Sequence, residues 1–285
     1  MIYILAINNL SEGYRSLEIL GYIAAVLMGM VLGVIGGGGS ILTVPILVYL
    51  MGVPADVATA YSLLIVGATA AYGAISYFRL GLVDVKASIL FAIPSIIAVY
   101  LSRAFLMPAI PDILRIGDYL VSKNVAIMVF FAILMLSSAI MMLRKAYKKN
   151  IPLAQSSHTN IVSSPKVTLI VIEGALVGLI TGILGAGGGF LIIPALVLLL
   201  GMPMKRAVGA SLFIIALKSL LGFIGDLQTG IFLDHQLLGL MLLATFIGMS
   251  ISTKISEKLE GQSLQKFFAF FTLIIAIFII VKELL

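Results

Sequence analysis

Apolar positions along this chain come in long blocks rather than in stripes. Blocks close to the roughly 20 residues that a helix needs to cross a hydrocarbon core cover 17–35, 59–78, 87–107, 124–143, 167–184, 207–225, 237–253 and 264–281. Two shorter blocks, 40–51 and 189–201, begin directly after glycine clusters. Alternation of polar and apolar residues is missing, and a membrane barrel needs it in every strand. The pattern predicts an all-α polytopic membrane protein forming a single membrane domain. Composition points the same way, with 61% hydrophobic residues, 11% charged residues and a mean hydropathy of +1.21, values foreign to a soluble domain.

Charge and special residues remove several function classes. The net charge of +6 is spread over the connections between blocks, as in membrane proteins whose cytoplasmic loops are basic, and no patch for nucleic acid stands out. Without a cysteine there is no disulfide, thiolate metal site or cysteine nucleophile. His158 and His235 are too few and too far apart for a metal centre, so no cofactor is expected. The first residues, 1–16, lack a basic stretch and a small-residue cleavage site, and are read as a retained N-terminus. The 13 methionines are scattered and read as core filler.

Self-comparison organises the chain. Shifting it by 149 residues places Gly33 on Gly182, Gly36 on Gly185, Gly38 on Gly187, Gly39 on Gly188 and Pro45 on Pro194. The same gap-free shift places Gly52 on Gly201, Pro54 on Pro203, Ser62 on Ser211, Gly73 on Gly222 and Gly81 on Gly230. A first repeat over 17–143 and a second over 167–285 follow, joined by a polar linker over 144–166.

The stretch GVIGGGGSILTVP superficially suits a dinucleotide's pyrophosphate, but that fold needs one such turn in a soluble βαβ unit. Here two lie inside hydrophobic blocks, each followed by a proline that disfavours the receiving helix. Paired Gly-rich, Pro-containing interruptions instead predict two broken helices. Backbone groups freed inside a bilayer persist only where protein buries them or a cavity hydrates them, so the breaks are expected to meet near the membrane centre. Half-helix N-termini there favour an anion. Candidate contacts are Gly36, Gly37, Gly38, Gly39 and Ser40 in one break, and Thr181, Gly185, Gly187, Gly188 and Gly189 around the other. Close helix packing is the competing use of these glycines.

Lys218 sits inside the block 207–225, where a lysine costs about 2.5–3.5 kcal/mol on insertion scales and must face the bundle interior. Ser211 lies two turns before it on the same face, and Ser62 and Thr69 occupy the corresponding positions of the first repeat. Three uses fit Lys218: contact with an anionic substrate, an ion pair with Asp226 or Asp84, or snorkelling to an interface. Arg79, Arg103 and Lys254 lie at block ends, where interfacial anchors are common. Apart from Asp226, no acidic residue is identified within the membrane as a proton relay.

The segments GVIGGGGSILTVPILVYLMGVPADVATAYSLLIV and GILGAGGGFLIIPALVLLLGMPMKRAVGASLFIIALKSLLGF resemble the TauE/SafE sulfite exporter family, also called the toluene sulfonate uptake permease family. The resemblance covers nearly the whole chain. It implies a secondary transporter, expected to be an exporter, of a small sulfur-containing anion such as sulfite or an organosulfonate, by alternating access between the repeats. An anion channel of this architecture and an importer of a sulfur oxyanion are the alternatives. A coupling proton or sodium ion is a possible further partner, beside the lipid bilayer, and the sequence leaves the oligomeric state open. An enzyme is not expected, because protease and acyl-transfer motifs are missing.

Topology follows from basic residues. If both short blocks cross the membrane, each repeat has five crossings and the repeats are inverted. Arg79, Lys86, Arg144, Lys145, Lys148, Lys149, Lys166, Lys205, Arg206, Lys254 and Lys258, eleven in all, then share the linker's side, against Arg15, Arg103, Arg115, Lys123 and Lys282, five in all. Re-entrant loops give nine against seven. Inverted repeats with a cytoplasmic linker and external termini are expected, in a bacterial or archaeal cell membrane.

Overall fold

The computed structural model describes residues 2–37, 39–106, 109, 111, 113–116, 119–147, 164–184, 189–227 and 233–284. Helix α1 (Ile2–Ile35) is followed by the short α2 (Gly39–Pro45), which widens into a π-type turn at Ile46–Leu50. Then come α3 (Ala55–Arg79) and α4 (Val85–Leu101), the latter also widening at Ser102–Leu106. After a β-hairpin, α5 (Lys123–Tyr147) and α6 (Ser164–Leu184) lead to the short α7 (Gly189–Pro194) with its π-type turn Ala195–Leu199. The chain ends in α8 (Met204–Leu227), α9 (His235–Lys258) and α10 (Gly261–Leu284).

Five of these helices contain stretches long and apolar enough to cross a membrane: Glu18–Ile35, Val57–Arg79, Met204–Ile224, His235–Ser256 and Gly261–Val281. Outward faces carry large apolar side chains, among them Ile93, Ile97, Leu176, Leu243, Ile247, Ile274 and Phe278. Water makes such a surface unfavourable and lipid does not. The hairpin departs from an all-helical reading. Strands β1 (Ile113–Ile116) and β2 (Tyr119–Ser122) pair antiparallel, Ile113 opposite Ser122 and Ile116 opposite Tyr119. Gly117–Asp118, a turn-forming dipeptide, separates them in sequence, a signal hidden between long apolar blocks.

Local geometry repeats at the same shift as the sequence. Each π-type turn is closed by a backbone bond from the residue after it, Met51 N–H to Ile46 O (3.2 Å) and Leu200 N–H to Ala195 O (3.3 Å). Val53 N–H to Leu47 O and Met202 N–H to Leu196 O are both 2.9 Å. Gly52 and Gly201 reverse the chain at φ 67° and 65°, a left-handed conformation that glycine adopts without a β-carbon clash. Asp84 caps α4 by accepting from the Ala87 N–H, and Asp234 caps α9 by accepting from Gln236 and Leu237 N–H.

Packing crosses the repeats. Helix α1 lies on α9, α4 on α6, α3 on α8 and α5 on α10. The first two pairs run parallel: Gly29 meets Thr245 and Gly33 meets Ser252, while Gly174 meets Phe91 and Gly178 meets Ser95. Gly29 and Gly178 are equivalent positions, and a β-carbon at either would collide with the carbonyl oxygen of Thr245 or of Ser95. The other two pairs run antiparallel. Gly73 meets Leu212, Gly67 meets Leu220 and Gly222 meets Leu63. In the last pair Gln262 Nε2 donates to Ala146 O (2.7 Å) and Gln265 Nε2 to Met142 O (2.9 Å), with Lys266 over the Tyr147 ring.

Candidate functional site

Helix α1 ends at Gly36, whose φ of +75° turns the chain out of the helix. Its N–H still donates to Leu32 O (2.6 Å), and its carbonyl accepts from Ser211 Oγ (2.6 Å) on α8. Ser211 has one hydroxyl hydrogen, shared between Gly36 O and Val208 O (2.9 Å). A β-carbon at position 36 would stand 2.6 Å from Ser211 Oγ and 2.9 Å from Val208 Cα, so only glycine fits.

Beyond the break, α2 folds back along α1, with Gly39 against Leu32 and Met28 and Met51 beside Gly21. Gly37 lies directly on Gly189, the first residue of α7, and a β-carbon on either would overlap the other's backbone. The two Gly-rich stretches therefore touch. Gly189 also meets Ile215 of α8.

Lys218 is partly buried on α8, and its Nζ donates to Thr181 Oγ1 at 3.1 Å. Thr181 in turn donates to Gly178 O at 3.2 Å. Ser211, Ile215 and Lys218 thus meet Gly36, Gly189 and Thr181 in order, over about 10 Å of α8 at 1.5 Å per residue. The reciprocal contacts Gly73–Leu212 and Gly222–Leu63 place the middle of the α3–α8 crossing beside residue 217, next to Lys218. Lys218 lies about one turn along α8 from Ile215, the residue that meets Gly189, and a lysine side chain inside a low-dielectric interior attracts negative charge.

The remaining candidates divide. Thr69, equivalent to Lys218, is fully buried and bonds to Thr245 Oγ1 (2.8 Å) and to Ile65 O (2.6 Å), on the α9 side of α3 rather than beside Thr181. Ser62 is buried two turns earlier on α3. Gly38, Gly185, Gly187 and Gly188 lie outside the described residues, as do the side chains of Ser40, Arg103 and Asp226. Asp84 is engaged in capping α4. Arg79 and Lys254 are exposed at helix ends, where anchors belong.

The sequence reading passed over Glu173. It lies midway along α6, 3% exposed, with neither carboxylate oxygen hydrogen-bonded. The signal was present as one acid in VTLIVIEGALVGLI, but a single acid does not interrupt an apolar block. The buried hydroxyls of Ser95, Ser102 and Ser138 likewise lack partners.

Comparison with known proteins matches the sequence of this chain to proteins named as probable membrane transporters. A 262-residue stretch is 28% identical to a probable membrane transporter protein of Xylella fastidiosa strain Temecula1, covering 89% of this chain and 91% of that one. Probable membrane transporter protein YunE of Bacillus subtilis is 28% identical over 227 residues, 74% of this chain and 80% of that one. Probable membrane transporter protein MJ0441 of Methanocaldococcus jannaschii is 25% identical over 259 residues, 84% and 88%. No solved structure matches. The family model described as Sulfite exporter TauE/SafE matches residues 21–279, nearly all of the helical bundle just described, and the chain belongs to that family of integral, multi-pass membrane transporters.

Proposed function

We propose that the protein exports a small sulfur-containing anion, such as sulfite or an organosulfonate, binding it at Lys218 and the glycine backbones beside it. The observation that carries this reading is the position of Lys218 at the middle of the α3–α8 crossing, one turn along α8 from Ile215, which meets Gly189. A cell interior at negative potential favours outward movement of an anion, by about 2.3 kcal/mol per charge per 100 mV.

Alternating access by inverted repeats is supported by the antiparallel pairing of equivalent helices, α3 with α8 and α5 with α10. A two-fold axis relating antiparallel helices runs across them, hence along the membrane plane. The moving bodies are not the two repeats as they occur in sequence. Residues of α1, α2, α3 and α9 share one apolar cluster, including Met28, Leu47, Ile65 and Met241. One body is accordingly α1–α3 with α9, and its counterpart is α6–α8 with α4. They meet at the α3–α8 contact and where Gly36 and Gly37 touch Ser211 and Gly189, and these are the surfaces on which they slide.

Counterflow in proteoliposomes tests the reading, with sulfite, thiosulfate, sulfoacetate, taurine and sulfate as a panel. Saturable exchange of sulfite or a sulfonate is expected. Exchange of none of the five sinks the substrate assignment, and ohmic conductance in place of exchange sinks alternating access.

A further inference from the structure

Glu173 is the buried ionisable group for which the anion site has no use. It lies on the inward stripe of α6 with Ile170, Gly174, Val177 and Thr181, and α6 packs tightly on α4, its Gly174 against the Phe91 carbonyl. Both carboxylate oxygens are buried and unpartnered. A bare carboxylate in so apolar a place is too poorly solvated to persist, so this conformation holds the neutral acid.

Titratable groups on the elements packed against α6 do not relieve this. On α4, Asp84 caps the helix, while Lys86 and Tyr100 are exposed. On α5, Arg144, Lys145 and Tyr147 lie in the last turn, and Lys145 Nζ donates to Val197 O. The Arg103 and Lys123 side chains lie outside the described residues. Helix α7 with its π-type turn carries no titratable residue, and Lys218 on α8 donates to Thr181.

Position 24, the equivalent of Glu173 in the first repeat, is Ala24, just as the equivalent of Lys218 is Thr69. The repeat symmetry is thus broken by an acid and a base on α6 and α8, the two helices tied by the Lys218–Thr181 bond. Glu173 and Thr181, which accepts from Lys218, lie on the same buried stripe of α6, about 12 Å apart at 1.5 Å per residue, so a movement of α6 that hydrates the carboxyl also displaces the partner of Lys218.

We propose that Glu173 is the proton-carrying residue of a proton–anion cotransport cycle. Rearrangement of α6 against α4 hydrates the carboxyl on one side of the membrane, and its O–H bond breaks with the proton passing to water as the anion leaves. On the other side the carboxylate takes a proton from water before the next anion binds. This rests on the reading of the chain as an anion transporter, in its import direction: a proton carried with a monovalent anion cancels the charge on which the membrane potential acts, and an inward proton gradient drives the pair inward.

Proteoliposomes loaded with thiosulfate or sulfoacetate, anions that stay fully ionised at neutral and mildly acid pH, test it. An imposed proton gradient should drive accumulation in the wild type. Glu173→Gln, a neutral isostere, should keep exchange and lose accumulation completely, while Glu173→Asp should keep a slower gradient response. Unaltered accumulation in Glu173→Gln overturns the proposal, and so does a wild type indifferent to the gradient. Infrared spectroscopy supplies a readout independent of transport. A buried carboxylic-acid carbonyl band should be present in the wild type and missing from Glu173→Gln, and its absence from the wild type overturns the proposal. Failure of exchange with every anion, with the band present, strikes the substrate reading and leaves the proton site standing.

Discussion

Lys218 and Gly36 are the two single residues on which the candidate site turns. A lysine inside an apolar block and a glycine at matching positions of two repeats are conspicuous in sequence, because the membrane penalises the one and side-chain sterics the other. What the lysine touches was not legible: its bond to Thr181 went unforeseen, Asp84 is engaged in capping α4, and the Asp226 side chain lies outside the described residues. Replacing Lys218 by Met keeps most of the length and removes the charge. Half-saturation for a divalent anion should rise more than for a monovalent one, measured by exchange kinetics, and Arg should retain more binding than Met. Unchanged affinity in a folded Lys218→Met protein would remove this residue from the site. Glu173 stayed hidden because hydropathy averages over a window, whereas the lack of a hydrogen-bonding partner is a property of three-dimensional packing.

Helices as elements were largely visible, since length and apolarity alone identify a span. The short blocks were also found, but not their form: α2 and α7 each open into a π-type turn before the chain reverses at Gly52 or Gly201. Side-chain periodicity carries no mark for that widening. Which helix would lie on which was not legible either, because it depends on contacts more than a hundred residues apart. The parallel pairs α1–α9 and α4–α6 rest on backbone contact at Gly29 and Gly178. Valine at either position has to push two helices apart. Each single variant should lower stability by at least about 1–3 kcal/mol, the usual range for overpacking, read as an earlier unfolding midpoint in detergent. Alanine should cost less than valine, and a normal midpoint in both valine variants would disprove the close approach.

At the scale of the whole molecule, the proposed inverted arrangement assigns the termini and the linker to opposite sides of the membrane. Cysteines placed one at a time near each terminus and at Ser157 in the linker can be probed with an impermeant thiol reagent, against a background without native cysteine. The termini should label from outside and the linker only from within, and labelling of all three from one side would reject inversion. The repeat itself was plain in sequence, and of its two glycine clusters the described residues bring Gly37 onto Gly189. The exchange of fourth helices was not, because a repeat detected by self-comparison invites the picture of two self-contained lobes. With α9 seated on α1 and α4 seated on α6, the first helix of each half is covered on one face by the fourth helix of the other. Expressed alone, either half would leave that face of its first helix to lipid, and only the other half supplies the glycine-lined contact that covers it.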